Sequence, residues 1–161
     1  MRVSVKPAIL VLWAGRHRRD DWSRLCERYL DRIRHQAPVE EIPIRAGRGH
    51  AEVRLAAEGQ AILAAIPRKS YLVALDSGGR QRTSPELAGW LRRRLESPRR
   101  PLVFVLGSDL GLSGNVLEAA DEKLSFGKMT LPHELARVVL YEQLYRGLSI
   151  LGGMKYHRGP L

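Results

Sequence analysis

Leu102-Val103-Phe104-Val105-Leu106-Gly107-Ser108-Asp109-Leu110-Gly111-Leu112-Ser113 places five consecutive apolar residues directly before a turn that carries two glycines. A short apolar run without polar alternation reads as a strand covered on both faces, the kind found in parallel sheets flanked by helices. Glycine just past such a strand lets the chain turn sharply and leaves backbone amides bare. In open α/β sheets, ligands collect at these carboxyl ends. A second stretch has the same form: Tyr71-Leu72-Val73-Ala74-Leu75 precedes Asp76-Ser77-Gly78-Gly79. It is expected to be another strand closed by a βα corner. Either corner alone is equally consistent with an ordinary tight turn.

Working outward from these two strands, apolar runs and amphipathic segments alternate. Ala8 to Trp13 is an apolar run and predicts a buried strand. The charged residues that follow it, Arg16, His17, Arg18 and Arg19, do not suit a signal-peptide cleavage site. Trp22, Leu25, Cys26, Tyr29, Leu30 and Ile33 repeat with helical spacing over Asp21 to Gln36. Val39 to Ile44 predicts a strand, and Pro43 within it favours a sheet edge. Ala51 to Ile66 predicts a helix with Leu55, Ile62, Leu63 and Ile66 inward. Thr83-Ser84-Pro85-Glu86 starts a helix that runs to about Glu96, with Ser84 as the expected cap and Pro85 in the first turn. Ser113 to Ala120 predicts a short helix and Lys123 to Phe126 a short strand. Pro132 opens a last helix that reaches about Ile150. Alternating strands and helices predict one α/β domain over residues 1–161 with a mostly parallel sheet. The last helix is apolar on more than one face, so it must be covered nearly all round, and a second subunit is a natural cover.

Composition narrows the function. Lys and Arg number 27 against 17 Asp and Glu, a formal charge of +10 over 161 residues. That excess points to a polyanionic partner, and nucleic acid fits best. The single cysteine, Cys26, falls on an apolar helix stripe and reads as a core residue suited to a reducing cytoplasm. No apolar run approaches the roughly 18 residues of a membrane span. The sequence contains no GxxxxGK[ST] loop, no HExxH, no GxSxG and no CxxC pair, and no metal site is expected. Catalysis by a bound cofactor suits this residue inventory better than hydrolysis by a metal or a nucleophile.

The C-terminal third carries a more specific pattern. Leu106-Gly107-Ser108-Asp109-Leu110-Gly111-Leu112 is followed by Leu124-Ser125-Phe126-Gly127-Lys128-Met129-Thr130-Leu131-Pro132-His133. Arg137-Val138-Val139-Leu140-Tyr141-Glu142-Gln143-Leu144-Tyr145-Arg146 and the terminal Tyr156-His157-Arg158 complete it. Together these resemble the RlmH family of SPOUT-class methyltransferases, which methylate N3 of a pseudouridine in helix 69 of large-subunit ribosomal RNA. The resemblance implies an α/β-knot fold with a C-terminal trefoil knot, a homodimer, and S-adenosylmethionine held in the knot. It departs from the family pattern at Ser108, where a second glycine is usual. The Asp76 to Gly79 corner matches the family only loosely. A related enzyme with another RNA target and a non-catalytic basic protein of the ribosome are the alternatives.

By matching positions, the resemblance assigns the cofactor to Leu75, Gly107 and the loop Phe126, Gly127, Lys128, Met129, Thr130 and Leu131. Gly107 is expected to leave room for the ligand, so a bulky residue there should remove binding without harming the fold. Methylating N3 requires removal of an imide proton, and His157 is the candidate base. Tyr156 is its neighbour, and Arg146 and Arg158 are placed to hold phosphate or an anionic base. Glu142, one turn before Arg146, is placed to orient that guanidinium. A last helix of nearly 30 Å would carry this tail away from its own cofactor loop, which suggests a site shared between subunits.

Overall fold

The computed structural model describes residues 8–16, 18–97 and 100–158, leaving the side chains of His157 and Arg158 outside the described set. Its strands are β1 (Ile9–Gly15), β2 (Val39–Arg45), β3 (Tyr71–Arg80), β4 (Leu102–Leu106) and β5 (Glu122–Leu124). They form one sheet in the order β2-β1-β4-β3-β5, and every neighbouring pair is parallel. The helices are α1 (Asp21–Arg34), α2 (Ala51–Ala65), α3 (Ser84–Leu95), α4 (Gly114–Ala119) and α5 (His133–Leu151), followed by a 3-10 turn at Lys155–Arg158. The expected α/β class with a parallel sheet is therefore the observed one. β2 lies at an edge, where Pro43 has a strand neighbour on one side only.

Successive residues of a strand point to opposite faces, and β1 feeds two cores. Ile9, Val11 and Trp13 pack with Cys26 and Leu30 of α1, Trp90 and Leu91 of α3, and Leu140 and Leu144 of α5. Leu10, Leu12 and Ala14 pack with Ile62 of α2 and Val116 of α4. The result is three layers, with α1, α3 and α5 on one face of the sheet and α2 and α4 on the other. Cys26 is fully buried, and burial pushes its thiol up to about 11, so it is an inert core group at neutral pH.

The last helix corrects one expectation. α5 packs against both α1 and α3 on top of the sheet. Gly147 allows the close approach: a Cβ there would lie 2.7 Å from the Leu91 side chain. Most of the apolar surface of α5 is thus covered by the chain's own helices, and its composition alone does not demand a second subunit.

Local details differ in two further places. The cap of α3 is Thr83, not Ser84: Thr83 Oγ1 accepts from Glu86 N at 3.3 Å, and Glu86 Oε2 accepts from Thr83 N at 2.7 Å. Ser84, freed from capping, donates to Gln143 Oε1 of α5 at 2.7 Å. The expected corner at Asp76 to Gly79 is an excursion within β3. Leu75 and Arg80 both pair with Leu124, so the four residues between them loop out. Gly79 permits the return, since a Cβ there would lie 2.6 Å from the Lys123 backbone. β5 ends at Leu124, two residues early, because Ser125 turns the chain: its Oγ donates to Gly127 O and accepts from Gly127 N.

Candidate active site

The carboxyl ends of β3, β4 and β5 surround a cleft of about 680 Å³. Leu75 and the β3 excursion form one wall, the β4 corner a second, and the loop from Ser125 to His133 a third. Of the residues assigned to the cofactor, Leu75, Phe126, Gly127, Met129, Thr130 and Leu131 line this cleft; Gly107 and Lys128 do not. The walls offer what an adenosine needs, namely aliphatic surface from Leu75, Leu112 and Leu131, an aromatic ring at Phe126, and close access to backbone at Gly111 and Gly127. Gly111 and Gly127 have φ of 76° and 138°, and nothing lies within 4 Å of where their Cβ atoms would be. These glycines therefore leave open space beside the backbone, while their own N–H groups are held by Ser108 O and Ser125 Oγ. Met129 is 85 % exposed at the lip, an apolar side chain with little cover from its own chain.

Gly107 has another reason to be glycine. A Cβ there would lie 2.1 Å from the carbonyl of Gly111, because the corner folds back on itself through a Gly111 N–H to Ser108 O bond of 2.9 Å. The crowding comes from backbone and not from ligand. Ser108 is unstrained, since among the described residues Lys69 is the only non-glycine with positive φ. Its buried hydroxyl donates to Glu58 Oε2 at 2.7 Å and accepts from Leu110 N at 3.3 Å.

Glu58 was not singled out from the sequence. It is 2 % exposed on α2, and its other oxygen accepts from Gly47 N at 3.1 Å. It therefore ties the β4 corner to the loop before α2. Its position, three residues after Leu55 and four before Ile62, puts it on the inward stripe, and a carboxylate on such a stripe was the available signal. Arg54, one turn earlier, donates to Asp109 at 2.8 Å and holds that carboxyl below its ordinary value.

Three of the residues assigned to the chemical step, Glu142, Arg146 and Tyr156, gather elsewhere. Arg146 Nε donates to Glu142 Oε1 at 2.9 Å, Gln143 Nε2 donates to Glu142 Oε2 at 2.7 Å, and Tyr156 OH reaches Glu142 Oε1 at 3.3 Å. The Tyr156 ring packs edge-on against Tyr145, with centroids 4.6 Å apart. Burial, then its contacts with Tyr29 and Glu142, raise the Tyr156 phenol well above its ordinary value, so it is a neutral hydrogen-bond donor and not a base. The Glu142 bond also reinforces the Arg146 charge. His157 and Arg158 have described backbone in the 3-10 turn, but their side chains lie outside the described set.

The two groups of residues therefore lie apart. None of Glu142, Arg146 and Tyr156 lines the cleft. Glu142 stands ten residues into the helix after Pro132, roughly 15 Å along the axis. Among the described residues no group of side chains could hold a metal ion, and no helix is long and apolar enough to cross a membrane.

Comparison with known proteins agrees with this geometry. The model of the family described as "Predicted SPOUT methyltransferase" matches residues 8–157. A curated relative from Solidesulfovibrio magneticus, named Ribosomal RNA large subunit methyltransferase H, is 44% identical over 154 residues, covering 95% of this chain and 99% of that protein. A relative of the same name from Rubrobacter xylanophilus is 50% identical over 143 residues, covering 82% and 87%. Among solved structures, a probable methyltransferase from Bordetella pertussis superposes with a TM-score of 0.55 at 14% identity, covering 88% of this chain and 95% of that one. A TrmH/SpoU tRNA-modifying enzyme from A. aeolicus gives 0.54 at 16% identity, covering 91% and 78%. These two likenesses extend the agreement to the fold. By the match across nearly its whole length and by the identity with these relatives, the chain belongs to the SPOUT methyltransferase family.

Proposed function

We propose that this chain, as a single domain, is an S-adenosylmethionine-dependent methyltransferase of large-subunit ribosomal RNA. Its target in this reading is N3 of a pseudouridine in helix 69 on assembled ribosomes, and it acts as a cytoplasmic homodimer. The observation that carries the reading is the cleft at the ends of β3, β4 and β5, glycine-backed on two sides. It lies in a chain 44% identical to a protein named for large-subunit RNA methylation. The +10 charge suits a ribosomal partner. A trefoil knot suits the way the 108–112 corner and the 125–133 loop both wall the cleft before the chain enters α5.

Bound there, the cofactor would supply a methyl group already activated by its sulfonium. The protein's task is then alignment and control of one proton. Leu75, Phe126 and Leu131 would hold the adenosine, with Gly111 and Gly127 leaving it room beside the backbone. Glu142 fixes the Arg146 guanidinium, which stabilises negative charge developing on the base as N3 loses its proton. His157 accepts that proton, and Tyr156 stays neutral and holds Glu142 in place.

The test supplies labelled S-adenosylmethionine with assembled ribosomes and, in parallel, with naked RNA. Label in large-subunit RNA, stronger on ribosomes, is expected. Label in transfer RNA alone would reassign the substrate. Cofactor binding without transfer to any RNA would leave a non-catalytic basic protein.

The dimer is supported by the separation of the two groups of residues and by the exposed Met129, and not by α5. A partner's tail would bring the second set of residues to the cleft. Leu131→Arg disables the cleft and Arg146→Ala the tail, so each variant alone should be inactive. Mixed one to one with verified subunit exchange, they should recover roughly a quarter of the unaltered rate, because half the dimers then hold one intact composite site. No recovery would mean that each chain completes its own site.

A further inference from the structure

A second cavity, of about 320 Å³, opens beside the cofactor cleft and has no role in the scheme above. Its walls come from the end of β1 and the residues after it, and from the corner after β4. These strands are neighbours, yet their connections diverge: β1 leads through α1 to β2 on one side, and β4 leads through α4 to β5 on the other. A crevice between adjacent carboxyl ends whose chains part in opposite directions is the topological switch point, where open α/β sheets take their ligands. The cavity and the cofactor cleft share Ser108, Asp109 and His133, so an occupant of one abuts an occupant of the other.

The chemistry of the walls selects the occupant. Trp22 stands at the mouth, 38% exposed, a large ring with one side open to solvent. Arg16 and Arg18 are exposed at the rim. Within lie groups that are fixed in place: Arg54 by Asp109 at 2.8 Å, and Arg137 by Glu41 at 2.9 Å with its guanidinium 3.8 Å from the Trp13 ring. An aromatic face, rim guanidiniums and a floor of rigid donors and acceptors match a nucleotide: ring to ring, phosphate to arginine, base edge to the floor.

Resting on the methyltransferase reading, we propose that this switch-point cavity receives one flipped-out nucleotide of the RNA substrate, with its base against Trp22 and its phosphate on Arg16 and Arg18. The nucleotide would then lie next to the methyl donor across Ser108 and Asp109.

The test measures retention of ribosomes and of large-subunit RNA, together with calorimetric affinity for S-adenosylmethionine. Trp22 is exposed, so Trp22→Ala should fold normally. It should weaken RNA binding about tenfold, the usual effect of losing one stacking platform, and Trp22→Phe should retain most of the affinity. Arg16→Ala with Arg18→Ala should lower the salt slope of binding by about 0.7 to 0.9 per lost phosphate contact. Cofactor affinity should stay within about twofold throughout. Trp22→Ala with unaltered RNA affinity overturns the inference and leaves the methyltransferase reading standing. Trp22→Ala that loses cofactor affinity instead assigns the cavity to the cofactor and overturns it as well. An unaltered protein that retains neither ribosomes nor RNA sinks both.

Discussion

Gly107→Val is expected to lose S-adenosylmethionine binding and stability together. Any Cβ at this position would lie 2.1 Å from the Gly111 carbonyl, closer than real atoms approach, and both partners are backbone. Relief requires the corner to open, which would break the Gly111 N to Ser108 O bond and disturb the Ser108 hydroxyl on Glu58. Forced overpacking of this kind costs about 3 kcal/mol. The corner is also a wall of the cofactor cleft. Cofactor affinity should therefore fall by at least about a hundredfold, which equals about 2.7 kcal/mol. Urea denaturation and calorimetry read the two effects. Gly111→Ala is the control for the stability readout alone: it has open space but a φ of 76°, so it should cost only about 1 kcal/mol. Lost binding with unchanged stability would restore the simpler view that Gly107 makes room for the ligand. Unchanged binding and stability would show that the corner shifts freely.

Arg137→Met is expected to destabilise the fold by about 3 to 5 kcal/mol, the cost of leaving a buried charge without its partner. Arg137 on α5 reaches Glu41 on β2 with two nitrogens, Nε at 3.1 Å and a terminal nitrogen at 2.9 Å. Tyr141 OH donates to the same carboxylate. The Arg137 guanidinium also sits over the Trp13 ring, 3.8 Å from its centroid. Glu41, Arg137, Tyr141 and Trp13 thus clamp the start of α5 onto the sheet beside the cofactor loop. Replacing both charges, as Glu41→Leu with Arg137→Met, should recover part of the loss, because no unpaired charge then remains although the buried Tyr141 hydroxyl loses its acceptor. A double variant as unstable as the sum of the two singles would mean that the pair does not act as a unit.

These two clamps mark where reading the sequence stops. Strand and helix identity was legible because it is written locally: apolar runs such as Leu102 to Leu106, helical spacing from Trp22 to Ile33, and Pro43 marking an edge. The family was legible because its pattern from Leu106 to Arg158 is linear and dense. The cleft residues from Phe126 to Leu131 followed from that pattern, apart from Lys128, which does not line the cleft. What escaped depends on which distant segments meet. Glu41 and Arg137 stand 96 residues apart, and Glu58 and Ser108 stand 50 apart, and no local periodicity pairs them. The Asp76 to Gly79 excursion exists because Leu124 pairs on both sides of it. α5 is apolar nearly all round because α1 and α3 flank it, and the sequence could not distinguish those helices from a second subunit. Burial is summed over every neighbour in space, so local composition dictates that a surface be covered, while only the tertiary structure decides what covers it.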